Sequence, residues 1–262
     1  MNWLRTILIG AVLSCQWGQP AVAEPVQFYY FNPDSPQSNL SLLKQAMDQL
    51  LTKLDQPITF QPFAHLIDFE REVRRSEPSF LFIPDWYVRE NGSLLRLHRF
   101  LAAERNGQTH YYKQLITKKD APFDLATLHN RSLAMTTLGK SGHTALNQLL
   151  FADLPQPTQN LNIMTVPKDA DAIFAVALGQ IDMALVSDES INYLRNVNPQ
   201  IIISLHTIKQ SKPIVMPVLC YLPGKSTVEQ RGKLKQQLIH ATQAKRHTIM
   251  EMLHITGWRT DE

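Results

Sequence analysis

The chain has 262 residues, with 26 Lys and Arg against 23 acidic residues and only two cysteines. So mild a basic excess, without a long basic run, argues against a nucleic-acid footprint but suits a small anionic ligand. Nine histidines are scattered with no pair at the short spacing of a zinc motif, so neither a metal nor another cofactor is expected.

At the N-terminus Arg5 precedes an apolar run from Thr6 to Leu13, and Ala21-Val22-Ala23 supplies a small-x-small cleavage site. This pattern reads as an export signal over residues 1–23. The run falls short of the roughly 20 residues that span a bilayer. A lipid anchor on Cys15 is the competing way of processing the same segment. Removal of the signal after Ala23 leaves Cys220 without a disulfide partner, so stability must come from burial.

Beyond the signal, VQFYYF from Val26 reads as a buried strand, ended by the turn-forming run Asn32-Pro33-Asp34-Ser35-Pro36. Leu40, Leu43, Met47, Leu50 and Leu54 recur at helical spacing, with Ser38 placed as the cap. A strand over Ile58–Phe63, a helix over Leu66–Arg75 and a strand over Ser79–Ile83 follow, and the last ends in a turn at Pro84-Asp85-Trp86-Tyr87. Such β-α-β-α-β alternation predicts a parallel sheet with ligands beyond the carboxyl ends of its strands.

A second unit opens with HYYKQLIT from His110 as one long strand. It continues with a short helix over Asp124–Asn130 and a strand over Ser132–Met135. A turn from Thr136 to Gly142 leads into a helix burying Ala145, Leu146, Leu149 and Leu150. Strand Ile163–Val166, helix Asp169–Leu178, strand Ile181–Val186 and helix Asp188–Arg195 complete the unit.

Two more strands are predicted at Ile201–Leu205 and Val215–Tyr221, before a long helix opened by a capping box of Ser226 and Glu229. A final helix runs through Met250, Met252 and Leu253, with Trp258 packed on its end. With no strand predicted among them, these closing helices fold back on the first lobe. Residues 24–106 and 211–262 then form one lobe and residues 107–210 the other. The chain crosses twice, with hinges near 104–110 and 206–213, and a solvent-filled groove divides the lobes.

This order of elements resembles the type II periplasmic binding fold, and three segments resemble its phosphonate, phosphite and phosphate subfamily: FLFIPDWYV, RSLAMTTLGKSGHTALNQLL and DADAIFAVALGQIDMALV. The resemblance implies that a small ligand is trapped between two α/β lobes for an ABC-type uptake system, without chemistry. It implies a permease or receptor as membrane partner, and a monomer in the periplasm. In the family a hydroxyl-rich turn at a helix start holds an oxyanion. Gly139, Lys140, Ser141 and Gly142 stand at that turn here, keeping one hydroxyl and adding a cation, with Thr136, Thr137 and Thr144 close by. Asp169 stands where the subfamily commonly has histidine, and Ser187, beside Asp188, falls near its amine-binding acid.

The ligand-facing candidates are therefore Tyr30, Asn32, Asp85, Trp86 and Tyr87 at strand ends of the first lobe. From the second come Thr137, Lys140, Ser141, Gly142, His143, Asp169 and Ser187. A nucleotide loop is excluded because Ala134 stands where that motif needs glycine. Ser141 with His143 would need a third group to orient the base and a separate oxyanion hole, and two residues apart at a helix start their side chains diverge. Two alternatives stay open: a sensory or envelope-assembly module of the same fold, and an apolar ligand.

Overall fold

The alternation of apolar strands and amphipathic helices builds two sheets, each covered by helices. The computed structural model describes residues 26–260 except 37–38, 55–56, 122–124, 126–127, 129, 153–157, 159–160 and 244–247. The export signal with Cys15, the Ser38 cap and most of the helix expected over 124–130 lie outside the described residues.

In the first lobe β1 (Val26–Phe31), α1 (Leu40–Leu51), β2 (Ile58–Phe63), α2 (Leu66–Ser76) and β3 (Phe80–Ile83) follow in turn. β1 pairs in parallel with β2 and β3, and the β1 side chains alternate between two aromatic-rich cores. Asn39 caps α1, its side chain accepting from Leu42 N at 2.9 Å. Leu43, Met47, Leu50 and Leu51 turn inward from α1, each such burial contributing about 1.5–3 kcal/mol.

The turn expected at Pro84–Tyr87 is the opening of a helix, α3 (Asp85–Leu95), and β4 (His98–Glu104) follows it. Asn91, Gly92 and Ser93 dilute the helical signal of α3, which tertiary packing overrides.

The expected long strand from His110 divides into β5 (His110–Tyr111) and β6 (Lys113–Lys118). The second lobe then runs through β7 (Ser132–Met135), α4 (Gly142–Leu150), β8 (Asn162–Thr165), α5 (Asp169–Ala177), β9 (Met183–Ser187) and α6 (Asp188–Val197). Residues 201–203, expected within the strand Ile201–Leu205, instead end the short helix α7 (Pro199–Ile203), whose first turn Pro199 presets; the strand is β10 (Leu205–Gln210). The sheet order is β10-β6-β9-β7-β8. Gly179 takes φ +72 after α5, the left-handed helix end its lack of a Cβ allows. Asp182 anchors the β9 start to β7, accepting from Ser132 N at 2.8 Å and Ser132 Oγ at 2.6 Å.

The chain returns through β11 (Ile214–Val215) and β12 (Val218–Tyr221), which Met216 and Pro217 separate; proline has no N–H to continue the ladder. α8 (Val228–Gln243) opens on a capping box one residue later than expected. Thr227 N donates to Gln230 Oε1 at 2.7 Å, and Gln230 N donates to Thr227 Oγ1 at 3.1 Å. After α9 (Thr248–Leu253) comes a strand the sequence did not suggest, β13 (Gly257–Thr260). Trp258 lies on it, its ring centroid 5.0 Å from that of Phe82 in an edge-on contact.

The first-lobe sheet has the order β13-β4-β12-β3-β1-β2, and between the lobes β5 and β11 pair antiparallel as a short ribbon. The chain thus has a two-lobed α/β architecture with two crossing strands. Among the described residues no helix is long and apolar enough to cross a membrane.

Candidate ligand-binding site

The carboxyl end of β1 faces the second lobe through Asp34. The turn that places it is set locally, with Asp34 N donating to Asn32 Oδ1 at 3.2 Å. Asp34 Oδ1 accepts from Lys113 Nζ at 2.7 Å and from the Thr136 hydroxyl, while Asp34 Oδ2 accepts from Tyr111 Oη at 2.5 Å. Lys113 is fully buried and Asp169 is 1% exposed, its Oδ1 3.7 Å from Lys113 Nζ. Burial alone would lower the Lys113 pKa, but the fields of Asp169 and Asp34 outweigh it and hold the ammonium above its ordinary value. Burial raises the Asp169 carboxyl against the opposing pull of Lys113. Tyr111 is pushed well above the ordinary tyrosine range by burial and by Asp34, so its hydroxyl stays a donor.

A second contact between the lobes lies at the start of α4. Lys140 N and Ser141 N each donate to the Glu90 carboxylate of α3 at 3.0 Å. These N–H groups have no intrahelical partner, and the helix dipole favours negative charge there. Gly139 makes the approach feasible: it takes φ +85, and a Cβ there would lie 2.5 Å from the Glu90 oxygens.

On the ribbon side Glu189 of α6 joins three parts of the chain. It lies 3.2 Å from Arg105 Nη1 and 3.2 Å from His254 Nδ1, while Arg105 Nε donates to His254 O at 2.8 Å. The His254 hydrogen bond, acting with the Arg105 charge against burial, holds the Glu189 carboxyl below its ordinary value. Asn32, Asp34, Tyr111, Ser187, Glu189 and His254 line a cavity of ≈ 20 Å³, room for one or two waters. The lobes meet through these side chains.

The predicted site residues fall into three groups. Asn32, Asp169 and Ser187 gather near the Asp34 network; Ser187 N donates to Asp169 Oδ2 at 2.8 Å, and Ser187 Oγ donates to Asp34 O at 3.3 Å. Thr137, Lys140, Ser141, Gly142 and His143 cluster at the α4 start, where Thr137 Oγ1 accepts from Gly139 N at 3.1 Å and His143 is exposed. Tyr30, Asp85, Trp86 and Tyr87 are drawn into the first lobe. Tyr30 packs on Phe60 and Phe82, and burial lifts its hydroxyl to about 12. Trp86 meets Phe31, Tyr87 meets Phe69, and Asp85 pairs with Arg89 and Arg99.

Glu90, Lys113, Thr136 as a buried donor, and Asp34 beyond its turn went unrecognised as site residues in the sequence. The one local signal was the lone lysine in the strand-like run HYYKQLIT from His110. Among the described residues no group of three or more His, Cys, Asp or Glu side chains is arranged to hold a metal ion.

Residues 29–261 match the family described as "ABC transporter, phosphonate, periplasmic substrate-binding protein". No curated protein sequence matches the chain. Among solved structures the fold is similar to a binding protein component of an ABC phosphonate transporter from Pseudomonas aeruginosa, with 17% identity and TM-score 0.74 over 90% of this chain and 82% of that one. It is also similar to PhnD1 from Prochlorococcus marinus in complex with methylphosphonate, with 14% identity and TM-score 0.73 over 90% of this chain and 92% of that one. A histidine kinase sensor domain with similarity to periplasmic binding proteins shares the fold at 15% identity and TM-score 0.57, over 88% of this chain and 96% of that one.

Proposed function

The chain belongs to the periplasmic substrate-binding family of phosphonate ABC transporters, and on that premise we propose that it captures a small oxyanion of the phosphonate, phosphite or phosphate class between its lobes and hands it on unchanged. Periplasmic location, a small-molecule ligand and a membrane permease as partner follow from the family. Residues 1–23 act as the export signal in this reading, and the protein works as a monomer.

One observation carries the reading: Lys140 N and Ser141 N already hold a carboxylate, that of Glu90, at the start of α4. Two converging N–H donors at a helix start suit an oxyanion of any source, and the exposed Lys140 side chain adds charge nearby. An incoming phosphonate would exchange with Glu90 and bridge the lobes in its place. Binding then shifts the balance between open and closed forms by its differential affinity for the two.

Thermal-shift titration with phosphate, phosphite, methylphosphonate and a panel of apolar metabolites tests this reading. A saturable rise with one or more of the oxyanions supports it, whereas a response confined to apolar compounds rejects it. A second reading, a sensory module of the same fold, is favoured by the lobes gripping each other through their own side chains at Asp34 and Glu90. Neighbouring permease and ATPase genes point to uptake, and an adjacent membrane kinase or cyclase gene to sensing.

A further inference from the structure

Asp34 from the turn after β1, Thr136 from the end of β7 and Asp169 from the start of α5 converge on one point, which Lys113 Nζ fills. The ammonium donates to Asp34 Oδ1 and Thr136 Oγ1, each at 2.7 Å. Asp169 Oδ1, at 3.7 Å, is beyond hydrogen-bond reach, and among the described residues it is buried without a donor. The backbone accounts for the shortfall. Lys113 N donates to Ser211 Oγ at 2.9 Å and Lys113 O accepts from Ser211 N at 2.8 Å, so the residue is pinned where the chain crosses between lobes. A tethered ammonium reaches two acceptors of the three, whereas one free of the tether can settle among all of them.

We propose that Asp34, Thr136 and Asp169 form a seat for a primary ammonium group, that Lys113 occupies it from within the chain, and that Lys113 is thereby a specificity-determining residue excluding ammonium-bearing solutes. Two buried carboxylates demand a cation, since an unpaired buried charge is strongly disfavoured. With Lys113 present that demand is met, and a second ammonium would face like charge. The consequence for ligand class rests on the oxyanion reading above: the admitted solute is an oxyanion without an amine, and a zwitterion carrying both groups is turned away. The seat itself does not depend on that reading.

The test is chemical complementation of Lys113→Ala, which removes a propylammonium-sized group. Its thermal midpoint is followed with n-propylammonium, with tetramethylammonium as a cation unable to donate hydrogen bonds, and with propanol as a neutral control. The seat predicts a saturable rise for Lys113→Ala with n-propylammonium alone, and none for wild type or for Lys113→Met, whose side chain refills the space. No rise in Lys113→Ala, or an equal rise in wild type, overturns it. Should Lys113→Ala fail to fold unaided, recovery on refolding gives the same reading: rescue by n-propylammonium alone supports the seat, and rescue by neither cation or by both overturns it. No oxyanion is present in these measurements, so their failure and that of the oxyanion reading, judged on wild type with phosphate or methylphosphonate, are told apart.

Discussion

Glu90 of the first lobe and Ser141 of the second are joined by a 3.0 Å hydrogen bond in which the backbone N–H at a helix start donates to a carboxylate. That contact makes the anion-receiving end of α4 part of the interface between lobes, and any oxyanion bound there must compete with an attached one.

Replacing Gly139 with alanine should show how closely the two are fitted. The new Cβ would strain the φ +85 backbone and crowd the Glu90 oxygens. We expect a loss of about 1–3 kcal/mol in wild type, from strain and clash together. In a Glu90→Ala background only the backbone part should remain, so a double-mutant cycle by urea unfolding should return a clear coupling energy. Additive effects would mean that Glu90 does not rest on the turn in solution.

Lys113→Met should destabilise the protein by about 3–5 kcal/mol, because it removes the ammonium buried between Asp34 and Asp169 and leaves them only the field of Lys168. Equilibrium urea unfolding measures this. A loss below about 1 kcal/mol, the worth of an exposed pair, would contradict the buried network.

Gly179→Val should cost about 1–2 kcal/mol through the left-handed backbone alone, since nothing lies within 4 Å of a Cβ at that position. Gly179→Asn should cost less, asparagine tolerating that conformation better. Equal melting temperatures for the two variants would count against the assignment.

Three of the five shifted carboxyls among the described residues illustrate the pH dependence. Against a burial penalty, the Ser132 hydroxyl and N–H and the Arg131 charge hold Asp182 below its ordinary value of 3.8. Its stabilisation is therefore full above about pH 3.8 and is lost as pH falls through the lower folded value. Glu189, lowered from 4.5, acts in the same sense. Asp169, raised by burial, acts in the opposite sense, its contribution fading as pH climbs from 3.8 through the raised value. Melting temperatures from about pH 6 to about pH 2 should fall less steeply at the acid end for Asp182→Asn than for wild type. Parallel curves would show that Asp182 does not carry the effect.

How far this molecule could be read from its sequence depends on whether each feature has a local cause. The alternation from β1 to β3 and the helices at Leu40 and Asp169 were legible, since apolar spacing is local. α3 was hidden by Asn91, Gly92 and Ser93, and β13 by its brevity, four residues on a sheet edge. Ser226 and Glu229 satisfy the pattern for a cap as well as Thr227 and Gln230 do, and backbone geometry alone decides between them. The site was least legible. Asp34 and Lys113 are 79 positions apart and Glu90 and Ser141 are 51 apart, and such pairings leave no periodicity to detect.

The most direct test of the account is calorimetric titration of wild type and Glu90→Ala with phosphate, phosphite and methylphosphonate. We expect one saturable site in wild type for at least one of these anions, tightened about tenfold, or about 1.4 kcal/mol, once the competing carboxylate is gone. No heat of binding from any of the three anions in either protein would contradict capture of an oxyanion at the start of α4.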